Sequence, residues 1–211
     1  DATPGFLASL GGRPTTARVV VPATGVNDDP PAIAGLADHW GRGVFTCPFC
    51  DGWEHQDLHL AVVGEPAFGP HVAQLLRSGW SDRVSLFVGP LDPEVADPLR
   101  SRGVVVDERA VTRVVGDGEH VTALELDDGS STEVGAVFVA RLPIPNTGLA
   151  TALGAEVDDF GFLVTDEQRT TTVPGLWAVG DVRTRMHQMS VAIADGTLAG
   201  AGVTALLLSG H

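Results

Sequence analysis

The chain has 211 residues, a formal charge of −14, 44% hydrophobic residues and only two cysteines, and all of its Lys-plus-Arg complement is Arg. An acidic surface repels phosphate backbones, which excludes nucleic acid as a partner class, and two cysteines three apart cannot scaffold a chain of this size. The longest continuous apolar stretches, such as Ala201 to Leu208, are too short to span a bilayer, and no basic start followed by an apolar run marks a signal peptide. The expectation is a cytoplasmic protein without a membrane segment, whose true N-terminus was removed or lies upstream of Asp1.

Arg18 to Pro22 reads as a short strand closed by Ala23-Thr24-Gly25. Asp28-Asp29-Pro30-Pro31 reads as a linker, because paired prolines interrupt helix and sheet alike. Leu60 to Val63 is a continuous apolar run, the pattern of a strand buried on both faces. Gly64 to Gly69 forms a turn, and Pro70 to Ser78 a helix. Val84 to Val88 is a second strand, Asp92 to Arg102 a helix despite Pro98, and Val104 to Val106 a third strand. This order predicts a parallel sheet with crossover helices. Val111 to Val115 and Val121 to Leu126, joined by Gly116-Asp117-Gly118, read as an antiparallel hairpin or small meander. Ala136 to Ala140 returns as a buried strand. Phe162 to Thr165 and Leu176 to Val179 are the last strands. A helix from Gln188 to Leu207 follows, and its Gly196, Gly200 and Gly202 suggest close packing against a backbone or a ligand.

The chemistry concentrates in Cys47-Pro48-Phe49-Cys50-Asp51-Gly52-Trp53-Glu54. Two cysteines at this spacing close a small disulfide ring that opens to one attacking thiolate and one resolving thiol. Asp51, directly after the second cysteine, can give a proton to a leaving thiolate or take one from an attacking thiol. Two plainer readings compete. One is a structural zinc site on Cys47, Cys50, His55 and His59, with a ligand gap much shorter than usual. The other is an inert buried pair.

Gly64-Glu65-Pro66-Ala67-Phe68-Gly69 stands where a dinucleotide-binding glycine loop would sit, after a strand and before a helix. As a fingerprint it is damaged, since Pro66 replaces the second glycine and Glu65 adds negative charge. Val88-Gly89-Pro90 offers neither an acid for a ribose nor an arginine for a 2′-phosphate. Gly180-Asp181 lies at the carboxyl end of a buried strand, the edge at which α/β sheets bind ligands. Strand-end aspartates are also common helix caps. His187 reads equally as a base beside a flavin or as a surface helix residue, whereas His39, His71 and His120 read as solvated or structural.

In order, these motifs resemble the low-molecular-weight thioredoxin reductase family: Ala23-Thr24-Gly25, Cys47 to Gly52, the strand-loop-helix from Leu60 to Ala73, Pro145-Asn146-Thr147, Pro174 to Val182, and His187-Gln188-Met189. The resemblance covers nearly the whole chain. It implies an α/β fold in which a Rossmann-like nucleotide-binding domain (29–141) carrying the C-x-x-C is inserted in an N-terminally incomplete FAD-binding domain (1–28 and 142–211). It implies Cys50 next to the flavin, Cys47 exchanging with substrate, Asp51 as acid–base, and Thr24, Gly25, Gly180, Asp181, His187, Gln188 and Met189 along FAD. A homodimer is implied by the family alone. Two departures stand out. The N-terminal flavin segment, with its own G-x-G-x-x-G, is absent before Asn27, as in a partial sequence. The nicotinamide-cofactor loop and its arginines are missing as well, which puts NADPH reduction in doubt.

Some relatives look like the dithiol oxidases of gliotoxin- and holomycin-type pathways, and the Phe49 and Trp53 flanks look like that branch. The first expectation is therefore an FAD-dependent oxidase of a small dithiol, with electrons passing through the C-x-x-C to FAD and oxygen. Asp51, where some of those oxidases carry His, looks more like the second, an NAD(P)H-dependent reductase of a thioredoxin-like protein. A non-catalytic zinc-stabilised module is the alternative from another class.

Overall fold

The computed structural model describes residues 5–209. The chain divides into two units, one formed by Asp29–Leu142, the other by the described residues up to Asp28 together with those from Pro143 onward.

The middle unit is built on a five-stranded, all-parallel sheet in the order Val44–Phe45, Ala136–Ala140, Leu60–Gly64, Val84–Phe87, Val104–Asp107. Its central strands are buried at nearly every position, as the continuous apolar runs required. Alternate side chains serve two separate cores. Leu60, Val62, Leu86 and Phe138 face Ala73, Leu76 and Leu99 of the crossover helices. Ala61, Val63, Val137 and Val139 face Val114, Val121 and Leu124 of an antiparallel sheet on the other side. That second sheet is three-stranded, with Ser131–Glu133 added to the expected pair Val111–Gly116 and Val121–Leu126. Three helices belong to this unit: α1 (Pro48–Asp51), α2 (Gly69–Gly79) and α3 (Pro93–Ser101). The last keeps Pro98 inside it.

In the other unit, α4 (Gly148–Thr151) and α5 (Met189–Leu208) join mostly irregular extended chain. Arg18 to Pro22 does not form the regular strand expected. It is tied to the 175–179 segment by three hydrogen bonds, Val20 N–H to Gly175, Trp177 N–H to Val20 and Val179 N–H to Pro22. Only Val20 and Leu176 form a bridge. Pro22 lacks the N–H that a longer ladder would need. Leu176 to Val179 and Phe162 to Thr165 likewise carry isolated bridges instead of strands. The regular strands are a hairpin of Phe6–Leu10 with Arg13–Ala17, which the exposed, mixed sequence did not announce, and a short antiparallel pair of Val26–Asn27 with Ile144–Pro145. Ala150, Leu163, Leu176, Ala178 and Val182 form the small core.

Two features of the last helix bear on the sequence reading, and only the second, the packing of its glycines, corrects it. As a whole, α5 is 20 residues long with a mean hydropathy of 1.7, long and apolar enough to cross a membrane by length and composition alone. The search for unbroken apolar runs missed this because Asp195 and the small residues divide the helix. Of its three glycines only Gly202 is closely packed, against the Trp177 ring; Gly196 and Gly200 have open space where a side chain would start.

Phe138 is fully buried where the sheet meets the helices. Phe138→Ala is expected to cost roughly 3–5 kcal/mol by loss of transfer energy and creation of a cavity. Chemical denaturation measures it, and a loss below about 1 kcal/mol would contradict this packing.

Candidate active site

Cys47 is the N-cap of α1 in extended conformation, and Pro48 occupies the first helical position, where a missing N–H costs nothing. The Cys50 and Asp51 N–H groups both donate to the Cys47 carbonyl, at 3.1 and 3.2 Å. This turn brings the two cysteines to a Cα separation of 5.3 Å, and they are joined as a disulfide. Cys50 is exposed and Cys47 half-buried.

The turn is held from outside. Gly52 lies so close to Trp80 that a side-chain carbon there would stand 2.8 Å from the indole. Phe49 meets the same indole edge-on at 5.7 Å. On the other side, His55 Nδ1 donates to the Asp51 carbonyl at 2.8 Å, and its ring lies 4.7 Å from Phe45. Phe45 in turn packs on Phe138 at 5.9 Å. The rest of the Phe49 and Trp53 surface is open, 70% and 69% exposed. Burial pushes the Asp51 carboxyl above the ordinary carboxylate range; the nearby His55 works against that shift and Glu54 adds to it. A carboxyl held protonated to higher pH is suited to donate to a leaving thiolate.

A zinc site does not assemble here. The cysteines are bonded to each other, the His55 Nδ1 serves the Asp51 carbonyl, and the His59 Nε2 is 2.8 Å from the Ser85 hydroxyl. Among the described residues, no group of three or more His, Cys, Asp or Glu side chains could hold a metal ion.

At the other end of α2, the Gly64–Gly69 loop has turned inward. Gly64, at φ +134°, passes so close to Ala140 that a side-chain carbon would stand 2.8 Å from its carbonyl carbon. Gly69 is pressed against Val88 and Leu86, as close helix–strand packing requires. Three of the loop's N–H groups are used internally. Glu65 donates to the Ala140 carbonyl, Phe68 and Gly69 donate to the Glu65 carbonyl, and Pro66 has none. Arg141 is held by Glu65 at 3.2 Å and by Asp29 at 2.9 Å. A cleft of about 430 Å³ beside the loop is lined by Pro66, Ala67, Pro90, Leu91, Asp92 and Val95, with no basic side chain. These residues do not fit a dinucleotide phosphate.

The residues expected along FAD fall in the other unit. Thr24 and Asn146 bind each other reciprocally, Thr24 Oγ1 donating to the Asn146 carbonyl at 2.7 Å and Asn146 Nδ2 to the Thr24 carbonyl at 3.0 Å. Gly25, at φ +64°, accepts the Asn146 N–H. Gly180 also has a positive φ, +73°, and starts the short turn Gly180–Val182. Gln188 caps α5, its carbonyl accepting the N–H groups of Val191 and Ala192. His187 packs 5.8 Å from Phe162, and its Nε2 is buried without a hydrogen-bond partner. Met189 is 80% exposed. A buried, unpaired imidazole nitrogen just ahead of a helix N-terminus fits the polar edge of a flavin. Sequence reasoning missed the ion cluster under this turn. Asp195, which it took as an interruption of an apolar helix, is paired there with Arg169 and Arg183.

A redox disulfide beside a parallel sheet with a nucleotide-type loop is the architecture of disulfide oxidoreductases. Residues 8–196 match the family model described as pyridine nucleotide-disulphide oxidoreductase, and the chain belongs to that family, among its thioredoxin reductase-like members. It is 31% identical over 210 residues to the thioredoxin reductase of Listeria innocua, covering 91% of this chain and 63% of that protein. It thus spans less than two thirds of that relative's length. The thioredoxin reductase aclD of Aspergillus oryzae is 27% identical over 209 residues, covering 93% of this chain and 66% of that protein. The crystal structure of HlmI superposes with a TM-score of 0.92 at 35% identity, covering 98% of this chain and 66% of that chain.

Because the Asp51 carboxyl is raised, it stays protonated at pH values where an exposed aspartate is already charged. Disulfide exchange that uses its proton should fall as pH rises through the raised pKa. Asp51→Asn should flatten that limb of the pH–rate profile, and an unchanged limb would remove Asp51 from the proton transfer. The same shift means that the folded state binds the extra proton, so stability falls as pH rises above the ordinary aspartate range. Asp51→Asn is therefore expected to be the more stable protein at neutral pH, as read from thermal unfolding.

Proposed function

We propose that this chain is the major part of an FAD-dependent oxidase of a small dithiol, with Cys47 and Cys50 as its redox centre. The observation that carries the reading is the inward-turned loop at Gly64–Gly69, where Pro66 has no N–H, three N–H groups are spent on Ala140 and Glu65, and the neighbouring cation is paired twice. A reductase draws its electrons from a nicotinamide dinucleotide, and this loop offers that molecule's phosphates no cradle.

A substrate thiolate attacks Cys47, and Cys50 leaves as the thiol with the proton of Asp51. The second substrate thiol then displaces Cys47, releasing a cyclic disulfide and leaving the enzyme dithiol. A bound FAD would supply the two-electron acceptor that returns Cys47 and Cys50 to the disulfide, with oxygen as the terminal oxidant. Thr24, Gly25, Gly180, Asp181, His187, Gln188 and Met189 are proposed to hold it, with His187 presenting its unpaired Nε2. The exposed rings of Phe49 and Trp53 offer a flat apolar surface to a small substrate beside the disulfide.

A second reading, NADPH-dependent reduction of a thioredoxin-like protein, is favoured by Asp51 and by the name of the Listeria innocua relative.

In the intact protein, Cys47→Ser or Cys50→Ser should abolish dithiol-dependent oxygen uptake, since neither variant can close the disulfide; retained turnover would refute the redox assignment. Phe49→Ala and Trp53→Ala should raise KM for a small apolar dithiol several-fold, with kcat nearly unchanged. Unchanged KM values would place substrate elsewhere.

A further inference from the structure

The Asp195 carboxylate is 1% exposed in the middle of the apolar helix α5. An unpaired charge there would cost several kcal/mol, so its partners define its purpose. Asp195 Oδ1 accepts Arg169 Nε, and Oδ2 accepts Arg183 Nη1 at 2.8 Å and the Gly180 N–H at 3.1 Å. Burial pushes this carboxyl up, but the hydrogen bonds from Arg183, Arg169 and Gly180 outweigh it and hold it below the usual range. Asp195 is therefore charged at any physiological pH.

Each partner is itself fixed. Arg169 has a left-handed backbone, φ +75°, rare for a side-chain-bearing residue, and its Nη1 also donates to the Glu167 carbonyl. Arg183 Nε donates to Thr165 Oγ1 at 2.8 Å. One carboxylate thus ties three segments together: the 165–169 loop, the 180–183 turn and α5. Two guanidinium groups, each less than one fifth exposed, face a single carboxylate. The cluster keeps a surplus of one positive charge directly under Gly180.

We infer that Asp195 is a positioning residue for the Gly180–Asp181 turn, and that the Arg169–Asp195–Arg183 cluster tunes the reduction potential of a flavin bound at that turn. This rests on the flavin reading given above. The Gly180 N–H to Asp195 bond holds the positive-φ conformation from which Asp181 projects. The surplus charge stabilises electron density added to a neighbouring ring, because Coulomb interactions weaken little in a dry, low-dielectric setting. A purely structural ion cluster would do the first and not the second.

The two effects separate by opposite-charge substitutions in the intact flavoprotein. Asp195→Asn removes the negative member, so the midpoint potential of the bound flavin should move positive, with FAD affinity falling about tenfold for a lost charged hydrogen-bond hub. Arg183→Gln removes a positive member, so the potential should move negative. Asp195→Glu should restore affinity at least partly. If both variants lose affinity while the potential stays at the wild-type value, the tuning role is overturned. If Asp195→Asn leaves affinity and potential unchanged, the positioning role falls with it. Should Asp195→Asn fail to fold, the sign of the Arg183→Gln shift decides alone. A wild-type protein that binds no flavin would instead overturn the flavin reading itself, and measuring its FAD content first keeps the two failures apart.

Discussion

A four-residue helix cannot hold itself together in water, because nucleation fixes several dihedrals for a single hydrogen bond. The disulfide turn Pro48–Asp51 therefore depends on what clamps it. Trp80 fills the space beside Gly52, and His55 binds the Asp51 carbonyl while resting on Phe45, which rests on the buried Phe138 of the central sheet. The redox centre is an outgrowth of the sheet's core. The same clamp buries the Asp51 carboxyl enough to raise its pKa. The raised carboxyl and the disulfide thus come from one packing arrangement.

Helix α2 separates two ends of different character. Its 11 residues span about 16 Å. Trp80 and the disulfide lie at its C-terminal end, and the Gly64–Gly69 loop at its start. That loop keeps the two glycines that packing demands, one passing Ala140 and one against Val88, and lacks the one that phosphate demands. Three of its N–H groups are bonded to the protein's own carbonyls. Packing and phosphate binding place separate requirements on neighbouring residues, and this loop meets the first.

Much of this was legible in the residues. Continuous apolar runs gave the parallel strands, and their alternate faces were enough to build two cores. Cys47 and Cys50 announced their chemistry by spacing. The failures have physical causes. Arg18 to Pro22 and Leu176 to Val179 are extended and hydrogen-bonded, but in such short, proline-limited pairings that no regular ladder forms. The hairpin at Phe6–Leu10 and Arg13–Ala17 is too exposed to show alternation. Asp195 was visible as an acid in an apolar helix, which should itself have signalled a buried ion pair. Its partners lie 26 and 12 residues away along the chain, and no local pattern names them.

The central claim is that electrons enter through the disulfide and not through the nucleotide loop. Rapid mixing of the intact protein with a small dithiol, and separately with NADPH, both without oxygen, tests it through the visible flavin band. Prompt bleaching by the dithiol and none by NADPH is the expected result. Prompt bleaching by NADPH would mean that the Gly64–Gly69 loop opens to hold the dinucleotide, and the assignment as an oxidase would fail.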